Sequence, residues 1–455
     1  MSASDDRGVT LEGVGYITAG VPGTGGVIRQ RPEDFLVEEI PAYDPCGHGE
    51  HIYLMVEKKL LSTSQLLRII ADHFDVPLGA IGYAGMKDKH AVTRQVVSIH
   101  APGRRPEDFP RLRHDQISVL WADLHTNKLR LGHSRGNRFS IRIRATEPTR
   151  AIHAHRALTL LARSGVPNFF GIQRFGLRAN NHLLGALDLK REHRRLLDEL
   201  LGPGENPDSL ASMRTAAGFY AQGNFGAALD ALPKSCIAER EALLALARGA
   251  SPEKAVAAVH RTQRQFWLSA FQSAIFNRVV ARRLEQGLIG ELVEGDLAAK
   301  HVNGAVFRVT PDDLHGPDLR RRLDAIEISP TGPIWGPKMM RPEGLPGTIE
   351  QEEFQSAGVP LESIAALARR IGPKECGTRR PVRVPLRDPV VEGGVDEHGA
   401  YIRLAFELPP GAFATIVLRE VMKSPQSQVR HDHDGDDLHG DAHEHTPDST
   451  PVPLA

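Results

Sequence analysis

Alternating apolar and polar residues predict β-strands in the first third of the chain and again near residue 400. Residues 50–57 (EHIYLMVE), 139–144 (FSIRIR) and 401–408 (YIRLAFEL) alternate with a period of two, which is typical of half-buried strands. Residues 26–40 predict a strand, a turn and a second strand, because Pro32 interrupts the run.

A helical period dominates the middle of the chain. Ser62 and Gln65 have capping-box spacing at the start of one helix, which should end before Pro77. Residues 183–286 are mostly helical, and residues 290–345 alternate strand and loop. A helix-rich stretch between two β-rich stretches indicates one domain inserted into another.

The formal net charge of zero conceals an uneven distribution of charge. The 455 residues include 56 basic and 56 acidic side chains. Residues 425–455 hold seven acids and one arginine, so residues 1–424 carry a net charge of +6. A mildly basic folded part is compatible with an RNA partner, although solvated, Arg-rich helix faces explain each basic cluster at least as well.

Residues 425–455 are low in apolar side chains, and we expect them to be disordered. Their His and Asp residues are typical metal ligands. A solubilising acidic tail is the favoured interpretation, because nothing apolar there would hold a defined coordination geometry.

Membrane and disulfide classes are excluded by simple counts. No apolar run approaches the roughly eighteen residues of a membrane-spanning helix, and MSASDDRG lacks the features of a signal peptide. Cys46, Cys236 and Cys376 are far apart and odd in number, which argues against a disulfide framework and a zinc cluster. We therefore expect a cytoplasmic protein.

The stretch AGMKDKHAVTRQ, residues 84–95, is the strongest candidate for a functional site. It places Asp88 between Lys87 and Lys89, and apolar, strand-like runs flank it on both sides. Functional groups are often displayed on a charged loop between two core strands. The residues alone make Asp88 a candidate and no more.

Two other stretches allow a functional and a structural interpretation. Gly136-Asn137 predicts a turn, and Asn137 and Phe139 can face the same way. On sequence alone we favour Asn137 as a turn residue and Phe139 as core. The loop 165–182 is rich in Phe, Arg, Gln and Asn, so it is either a tight structural turn or an RNA-contacting segment that includes Arg174.

Five stretches, in this order, resemble the TruD family of tRNA pseudouridine synthases: GMKDKHAVTRQ, GNRF, VPNFFGIQRFG, FQSAIFN and LPPGAFATIVLRE. The resemblance runs from about residue 15 to about residue 424. One motif alone would be weak evidence, whereas five in order at compatible spacing are specific.

The resemblance implies an α+β fold, in which a pseudouridine synthase catalytic domain has a central mixed, mostly antiparallel sheet and carries an inserted α/β TRUD domain. We expect the catalytic domain to comprise residues 1–164 and 376–424, the insertion to comprise residues 165–375, and the tail to follow at 425–455. The implied activity is isomerisation of uridine to pseudouridine in tRNA, at position 13. It needs no cofactor and no metal, and no protein partner is evident.

The resemblance also implies roles for residues around the carboxylate. Asp88 matches the family's catalytic aspartate, and Asn137 matches an asparagine that hydrogen-bonds near it and positions it. Arg29 lies where the family has a basic residue that pairs with the aspartate; Lys is also found there. Lys87 and Lys89 are then expected to bind RNA phosphates.

Three phenylalanines match aromatic residues of the family's base pocket: Phe35, Phe139 and Phe413. Phe139 and Phe413 are expected to stack on the target base and to hold the detached uracil. Arg174, in the RFG motif, lies at the start of the inserted domain and is a further candidate for RNA binding.

Two other functions remain open from the sequence. A non-catalytic RNA-binding protein or RNA chaperone is possible on the same scaffold, although binding alone would not require Asp88. A glycoside-type hydrolase would need paired carboxylates, which Glu38 and Glu39 could supply, but no motif supports it.

Overall fold

The computed structural model describes residues 7–89, 91–176, 178–203, 211–371 and 377–424. The predicted tail at 425–455, the predicted domain boundary at 375 and Cys376 lie outside these residues. No helix in the described ranges combines the length and the apolar character needed to cross a bilayer.

The strands of the described residues are β1 (Phe35–Pro41), β2 (His51–Lys59), β3 (Ile81–Tyr83), β4 (Val92–His100), β5 (Ile117–His125), β6 (Ser134–Arg144), β7 (Val166–Pro167), β8 (Leu297–Lys300), β9 (Val306–Arg308), β10 (Ile328–Ile334), β11 (Thr378–Pro381), β12 (Arg383–Val384), β13 (Arg387–Asp396) and β14 (Gly399–Leu408).

The helices are α1 (Arg7–Thr10), α2 (Thr63–Phe74), α3 (Ala151–Ser164), α4 (Asn181–Lys190), α5 (His193–Leu201), α6 (Ala211–Ala221), α7 (Phe225–Ala231), α8 (Ile237–Ala247), α9 (Pro252–Ala258), α10 (Arg261–Glu285), α11 (Pro311–His315), α12 (Pro317–Asp324), α13 (Gly344–Gln355), α14 (Leu361–Ile371) and α15 (Ala414–Met422).

The main sheet has the strand order β13-β14-β6-β1-β4-β2-β5, and β3 adds to the free part of one edge of β4. β1 and β4 are parallel, whereas the other neighbouring pairs of this sheet are antiparallel. The prediction of a mixed, mostly antiparallel central sheet is therefore confirmed. Because β14 pairs with β6, strands from the end of the chain complete a sheet that the first 144 residues begin.

One face of this sheet is buried under helices. α3 and α15 pack on the β1, β6 and β14 side, and α2 packs on the β2 and β4 side. α2 forms where it is predicted: the Gln65 N–H donates to Ser62 Oγ, and the Ser62 N–H donates to Gln65 Oε1. The two helix layers leave the middle of the face for the candidate site.

The region between β7 and β12 builds its own small sheet and a helical layer. Its four strands follow the order β11-β10-β8-β9, and α10 runs for 25 residues beside them. β11 lies beyond the predicted boundary at 375 and pairs with β10. Phe276 and Val280 of α10 also join the core of the main sheet. The boundaries of the inserted domain stay a prediction.

The predicted turn at Gly136-Asn137 is wrong. Both residues lie inside β6, where Gly136 pairs with Ile40 of β1 and Asn137 pairs with Leu408 of β14. A Cβ atom on Gly136 would come within 2.3 Å of the Leu408 carbonyl oxygen. The glycine therefore permits the close approach of two backbones, a need that sequence alone does not distinguish from a turn.

Two other local predictions need correction. The first strand expected within residues 26–40 reduces to a single bridge between Val27 and Arg144. Residues 290–345 contain α11, α12 and the start of α13 besides their strands. The missed signal is the side chain of Thr310, which caps α11 immediately before Pro311.

Arg144, the last residue of β6, links the start of β1 to the end of β13. Its guanidinium donates to both carboxylate oxygens of Asp34, which precedes β1, at 2.7–2.9 Å. It also donates to Asp396, at the end of β13, at 2.9 and 3.0 Å. The Arg144 and Asp34 side chains are 3% and 1% exposed. Hydrogen bonds to Asp396 and Asp34 raise the pKa of Arg144 despite its burial.

We predict that Asp34→Asn lowers the free energy of unfolding by about 3 kcal/mol, because it removes the more deeply buried of the two carboxylates that balance the Arg144 charge. The measurement is urea denaturation. Glu392→Gln is the matched control, since Glu392 is exposed and its partner Arg403 is partly exposed, and its midpoint should not move. Equal midpoints for the parent and Asp34→Asn would contradict the prediction.

Candidate active site

The Asp88 loop emerges where two strands share one edge of β4. β1 pairs with residues 92–94 of β4, and β3 pairs with residues 97–99. The chain leaves β3 at Tyr83 and returns as β4 at Val92, so the loop is shorter than the stretch 84–95 suggests. It is therefore displayed at the junction of β1 and β3.

Main-chain contacts anchor this loop at several points. The Lys87 N–H donates to Thr63 Oγ1, in the first turn of α2, at 2.9 Å. Lys58 Nζ donates to the main-chain carbonyl of Asp88 at 2.8 Å. The Gly132 N–H donates to the Ala84 carbonyl at 2.9 Å. The carboxylate of Asp88 thus projects from a backbone that its surroundings fix.

Arg29 and Asp88 form the predicted ion pair. Arg29 Nη2 donates to Asp88 Oδ2 at 2.7 Å. The Asp88 side chain remains 31% exposed, whereas that of Arg29 is 13% exposed. Burial lowers the pKa of Arg29, and the charge of Asp88 opposes this shift. A mostly buried cation therefore faces a carboxylate that is more exposed to an incoming ligand.

The backbone of Arg29 is held in a left-handed conformation. Its φ is +61°, in a region that a side chain other than glycine rarely occupies and that costs on the order of 1–3 kcal/mol. The Arg29 guanidinium carbon also lies 4.1 Å from the centre of the Phe35 ring. Phe35 is 3% exposed, so its direct neighbour in the site is the Arg29 guanidinium.

Lys87 does not point to solvent as the predicted phosphate contact requires. Its Nζ lies 3.0 Å from Glu39 Oε2 and donates to Asn137 Oδ1 at 2.5 Å. The Lys87 side chain is 8% exposed and that of Glu39 is 1% exposed. We therefore correct the expectation for Lys87, whose charge is matched inside the protein. Lys89 is partly exposed, and its phosphate contact stays a prediction.

Asn137 touches the loop through Lys87, the residue before Asp88. It lies directly opposite Glu39 in the pairing of β1 with β6, so both side chains emerge on the buried face beside the loop. Its proposed role in positioning the carboxylate stays a prediction.

The side chain of Glu39, in β1, occupies the interval along β4 between the segments that pair with β1 and with β3. Its Oε1 accepts a hydrogen bond from the Val96 N–H of β4 at 3.3 Å, between the two segments of β4 that β1 and β3 pair with. The same carboxylate faces Lys87. One buried acid therefore accepts a hydrogen bond from a main-chain N–H at the junction and neutralises a lysine of the loop.

Phe139 lies in the interior of the main sheet. Its ring stacks on Phe406 with centroids 5.5 Å apart, and it meets the edge of Phe35 at 6.5 Å. It is 7% exposed, as the core interpretation of this residue expects. Since Phe35 also contacts Arg29, the chain of contacts from Phe139 still leads to the ion pair.

Phe413 belongs to a second aromatic group. It is partly exposed at the start of α15, and its ring lies edge-on to Phe170 at 6.1 Å. The guanidinium carbon of Arg380 lies 4.2 Å from the centre of the Phe170 ring. The same guanidinium donates to Asn168 Oδ1 at 2.6 Å and to the Gly411 carbonyl at 2.9 Å. The turn before Phe413 is thus tied to β11.

Two of the five motif stretches meet in space. The side-chain amide of Asn277, in FQSAIFN, accepts from the Phe170 N–H at 2.8 Å and donates to the Phe170 carbonyl at 3.0 Å. Arg174 donates to Ser269 and Ser273 on the same helix, α10, at 2.9 and 3.3 Å. These contacts give both motifs a structural role, and RNA binding by Arg174 stays a prediction.

Sequence reasoning missed Lys58 and Thr63, and it did not give Glu39 its place beside the loop. A signal for Lys58 exists in the alternation of β2. Ile52, Leu54 and Val56 point into the core, so position 58 shares their phase, and Lys58 is fully buried there. The unusual feature is that a charged residue, Lys58, occupies a position of β2 that shares its phase with buried apolar residues.

Comparison with known proteins identifies the family. A family model described as tRNA pseudouridine synthase D (TruD) matches residues 12–421. A protein of that name from Geobacter sulfurreducens is 44% identical over 90% of this chain and 97% of its own length. One from Thermus thermophilus is 37% identical over 90% of this chain and 92% of its own length.

The chain belongs to the tRNA pseudouridine synthase D family.

The fold agrees with this membership. A Methanosarcina mazei crystal structure assigned to tRNA pseudouridine synthase D superposes with a TM-score of 0.78 at 27% identity, covering 93% of this chain and 99% of that one. The resemblance to the TruD family and the α+β class are thereby confirmed.

We predict that Glu39→Gln lowers the free energy of unfolding by about 3–5 kcal/mol, because it leaves the Lys87 ammonium buried without a counter-charge. Glu38→Gln is the control: this neighbour points to the opposite face, and its partner Arg94 is 35% exposed. It should cost no more than about 1 kcal/mol. Similar small losses for both variants in urea denaturation would contradict the prediction.

Proposed function

We propose that this member of the tRNA pseudouridine synthase D family isomerises uridine in tRNA with Asp88 as its reactive carboxylate. The observation that carries the assignment is the ion pair between Asp88 and Arg29 at 2.7 Å. It joins a partly exposed acid to a mostly buried cation, and the acid lies on a loop whose main chain Lys58 and Thr63 fix.

The reaction breaks the N–C glycosidic bond of uridine, turns the base and rejoins it to the sugar through carbon. No atom is gained or lost overall. A carboxylate near the sugar serves either as a nucleophile at C1′ or as the base that removes the C2′ proton to give a glycal. Asp88 must be ionised at the start of both routes.

Arg29 supports the ionised form of Asp88. An opposite charge at hydrogen-bonding distance stabilises a carboxylate, and the partial burial of the site strengthens the attraction. The left-handed backbone of Arg29 directs its side chain to this place at a cost in free energy. Such a cost is consistent with a functional role for the pair.

The target uridine has to leave its stack to reach Asp88, which costs a few kcal/mol. A ring that stacks on the flipped base offsets about 1–3 kcal/mol of that cost. Phe413 is partly exposed and is the more accessible of the two proposed stacking residues. Phe139 is more deeply buried and is linked to Arg29 through its contact with Phe35.

Position 13 of tRNA is the proposed target, on the strength of the family resemblance. A cytoplasmic location is proposed from the widely separated cysteines, of which Cys46 and Cys236 are unbridged. Both proposals are more specific than the statement that the chain belongs to the family.

The competing functions fit the geometry less well. Glu38 and Glu39 are successive residues of β1 and point to opposite faces, so they cannot flank one glycosidic bond as paired carboxylates. A protein that only binds RNA has no need for a strained arginine aimed at a reachable carboxylate. The isomerase accounts for both features.

We predict that Asp88→Asn abolishes pseudouridine formation and leaves the Kd for tRNA nearly unchanged, since the amide keeps the shape but cannot attack C1′ or take a proton. The assay incubates each protein with an unmodified tRNA transcript and maps carbodiimide-dependent primer-extension stops. The parent should give one new stop, at position 13. Asp72→Asn, on the exposed side of α2, is the control and should behave like the parent.

The same gel separates the alternatives. A hydrolase would give abasic stops without carbodiimide, and a simple RNA-binding protein would give none. A stop at a different uridine would overturn position 13 and keep the isomerase. Turnover by purified Asp88→Asn would overturn the assignment of Asp88.

We predict that Phe139→Leu lowers the turnover rate at saturating tRNA by about tenfold, the loss expected for roughly 1.4 kcal/mol of base stacking. Leucine retains most of the buried apolar volume, so stability should fall only modestly. Phe406→Leu changes its stacking partner in the same core and is the control. Equal losses of rate in both variants would assign Phe139 to the core alone.

A further inference from the structure

Lys58 is a fully buried lysine beneath the candidate site. It lies in one continuous row of paired residues across the sheet. From β14 to β5, the row consists of Phe406, Phe139, Val37, Thr93, Lys58 and Ile117. Its two ends belong to separate hydrophobic clusters, and Thr93 and Lys58 form the polar middle.

The ammonium of Lys58 binds two main-chain carbonyls. Its Nζ donates to the Leu61 carbonyl at 2.5 Å and to the Asp88 carbonyl at 2.8 Å. Leu61 immediately precedes the Ser62 cap of α2, and Asp88 is the proposed reactive residue. One side chain therefore joins the sheet, the start of a helix and the loop.

A buried ammonium is a costly way to fill this position. Desolvation disfavours the charged form of a lysine, and an apolar side chain of similar length would continue the Ile52, Leu54, Val56 series. Thr93 and Gln95, also fully buried and in phase on β4, keep side-chain atoms without hydrogen-bond partners among the described residues. The sheet thus maintains a polar patch under the loop at the expense of stability.

We infer that Lys58 is a positioning residue for the reaction, one that holds the main chain of Asp88 from below while Arg29 holds its carboxylate. The inference rests on the proposed function of Asp88. Through its hydrogen bond to the Asp88 main chain, Lys58 sets the place from which the carboxylate approaches the sugar. Displacing a reacting group by about 1 Å costs on the order of 100-fold in rate, so a fixed main chain matters at this residue.

The test uses the full chain and compares Lys58→Met with Lys59→Met. Methionine keeps the length of the side chain and removes the donors. Lys59 is the adjacent lysine, it is exposed, and it pairs with Glu33 away from the loop. For each protein we would measure the melting temperature, the Kd for an unmodified tRNA transcript, and the single-turnover rate of pseudouridine formation at saturating tRNA, well below the melting temperature.

The expected result is a folded Lys58→Met protein with the parental Kd and a rate reduced on the order of 100-fold, beside a Lys59→Met protein that matches the parent. A parental rate in Lys58→Met would overturn the inference. So would a rate loss that a weaker Kd accounts for, since that would assign Lys58 to binding.

If Lys58→Met does not fold, Lys58→Arg decides the question, because it keeps the charge and moves the donors. A folded Lys58→Arg with parental Kd and a slower rate supports positioning. A parental rate, or failure of this variant to fold as well, rejects it and leaves Lys58 a residue of the fold. The parent run alongside separates the two proposals: if it forms no pseudouridine, the proposed function fails first.

Discussion

Strand β4 has to change its partner part-way along one edge, and the geometry of the site depends on this change. β1 runs parallel to β4 and covers residues 92–94, and β3 runs antiparallel to β4 and covers residues 97–99. In the short interval between them, the Val96 N–H of β4 is not paired with the main chain of either strand. The Glu39 side chain accepts its hydrogen bond instead. The Asp88 loop leaves β3 at this junction, so the acid that repairs the sheet also binds the loop through Lys87.

The chemistry of Asp88 therefore depends on residues that come from distant parts of the chain. Arg29 lies two residues after Val27, which forms a single β-bridge with Arg144. The side chain of Arg144 in turn forms ion pairs with Asp34 and Asp396. The last helix is likewise fastened to the N-terminal segment, because Glu420 accepts hydrogen bonds from Thr18. The segment that carries Arg29 is thus part of a network that joins the N-terminal part of the chain to a strand and a helix from its end.

Sequence patterns predicted the elements that depend on interactions between residues close together in the sequence. The capping box of α2 and the strands β2 and β14 lie where the sequence patterns put them, but β2 is buried on both faces from His51 to Val56 and is not the half-buried strand that was predicted. The errors arose where the cause was tertiary. Gly136 looked like a turn because nothing in the sequence reveals the Leu408 carbonyl against it. The pair of Arg29 and Asp88 came from family resemblance, since 59 residues separate the partners. Lys87 was misjudged because its partner, Glu39, becomes a neighbour only in the folded sheet.

The alternation that predicts strands also indicates the site, at the positions where a charged residue stands in phase with buried apolar residues. On β1 the buried phase runs from Phe35 through Val37 to Glu39, and on β2 it runs through Val56 to Lys58. Each strand thus ends its apolar series with a buried charge of opposite sign. Both charges bind the loop that carries Asp88, one through the Lys87 side chain and the other through the Asp88 main chain. Stability alone would favour apolar residues at both positions, so their charges are best understood as belonging to the loop rather than to the core.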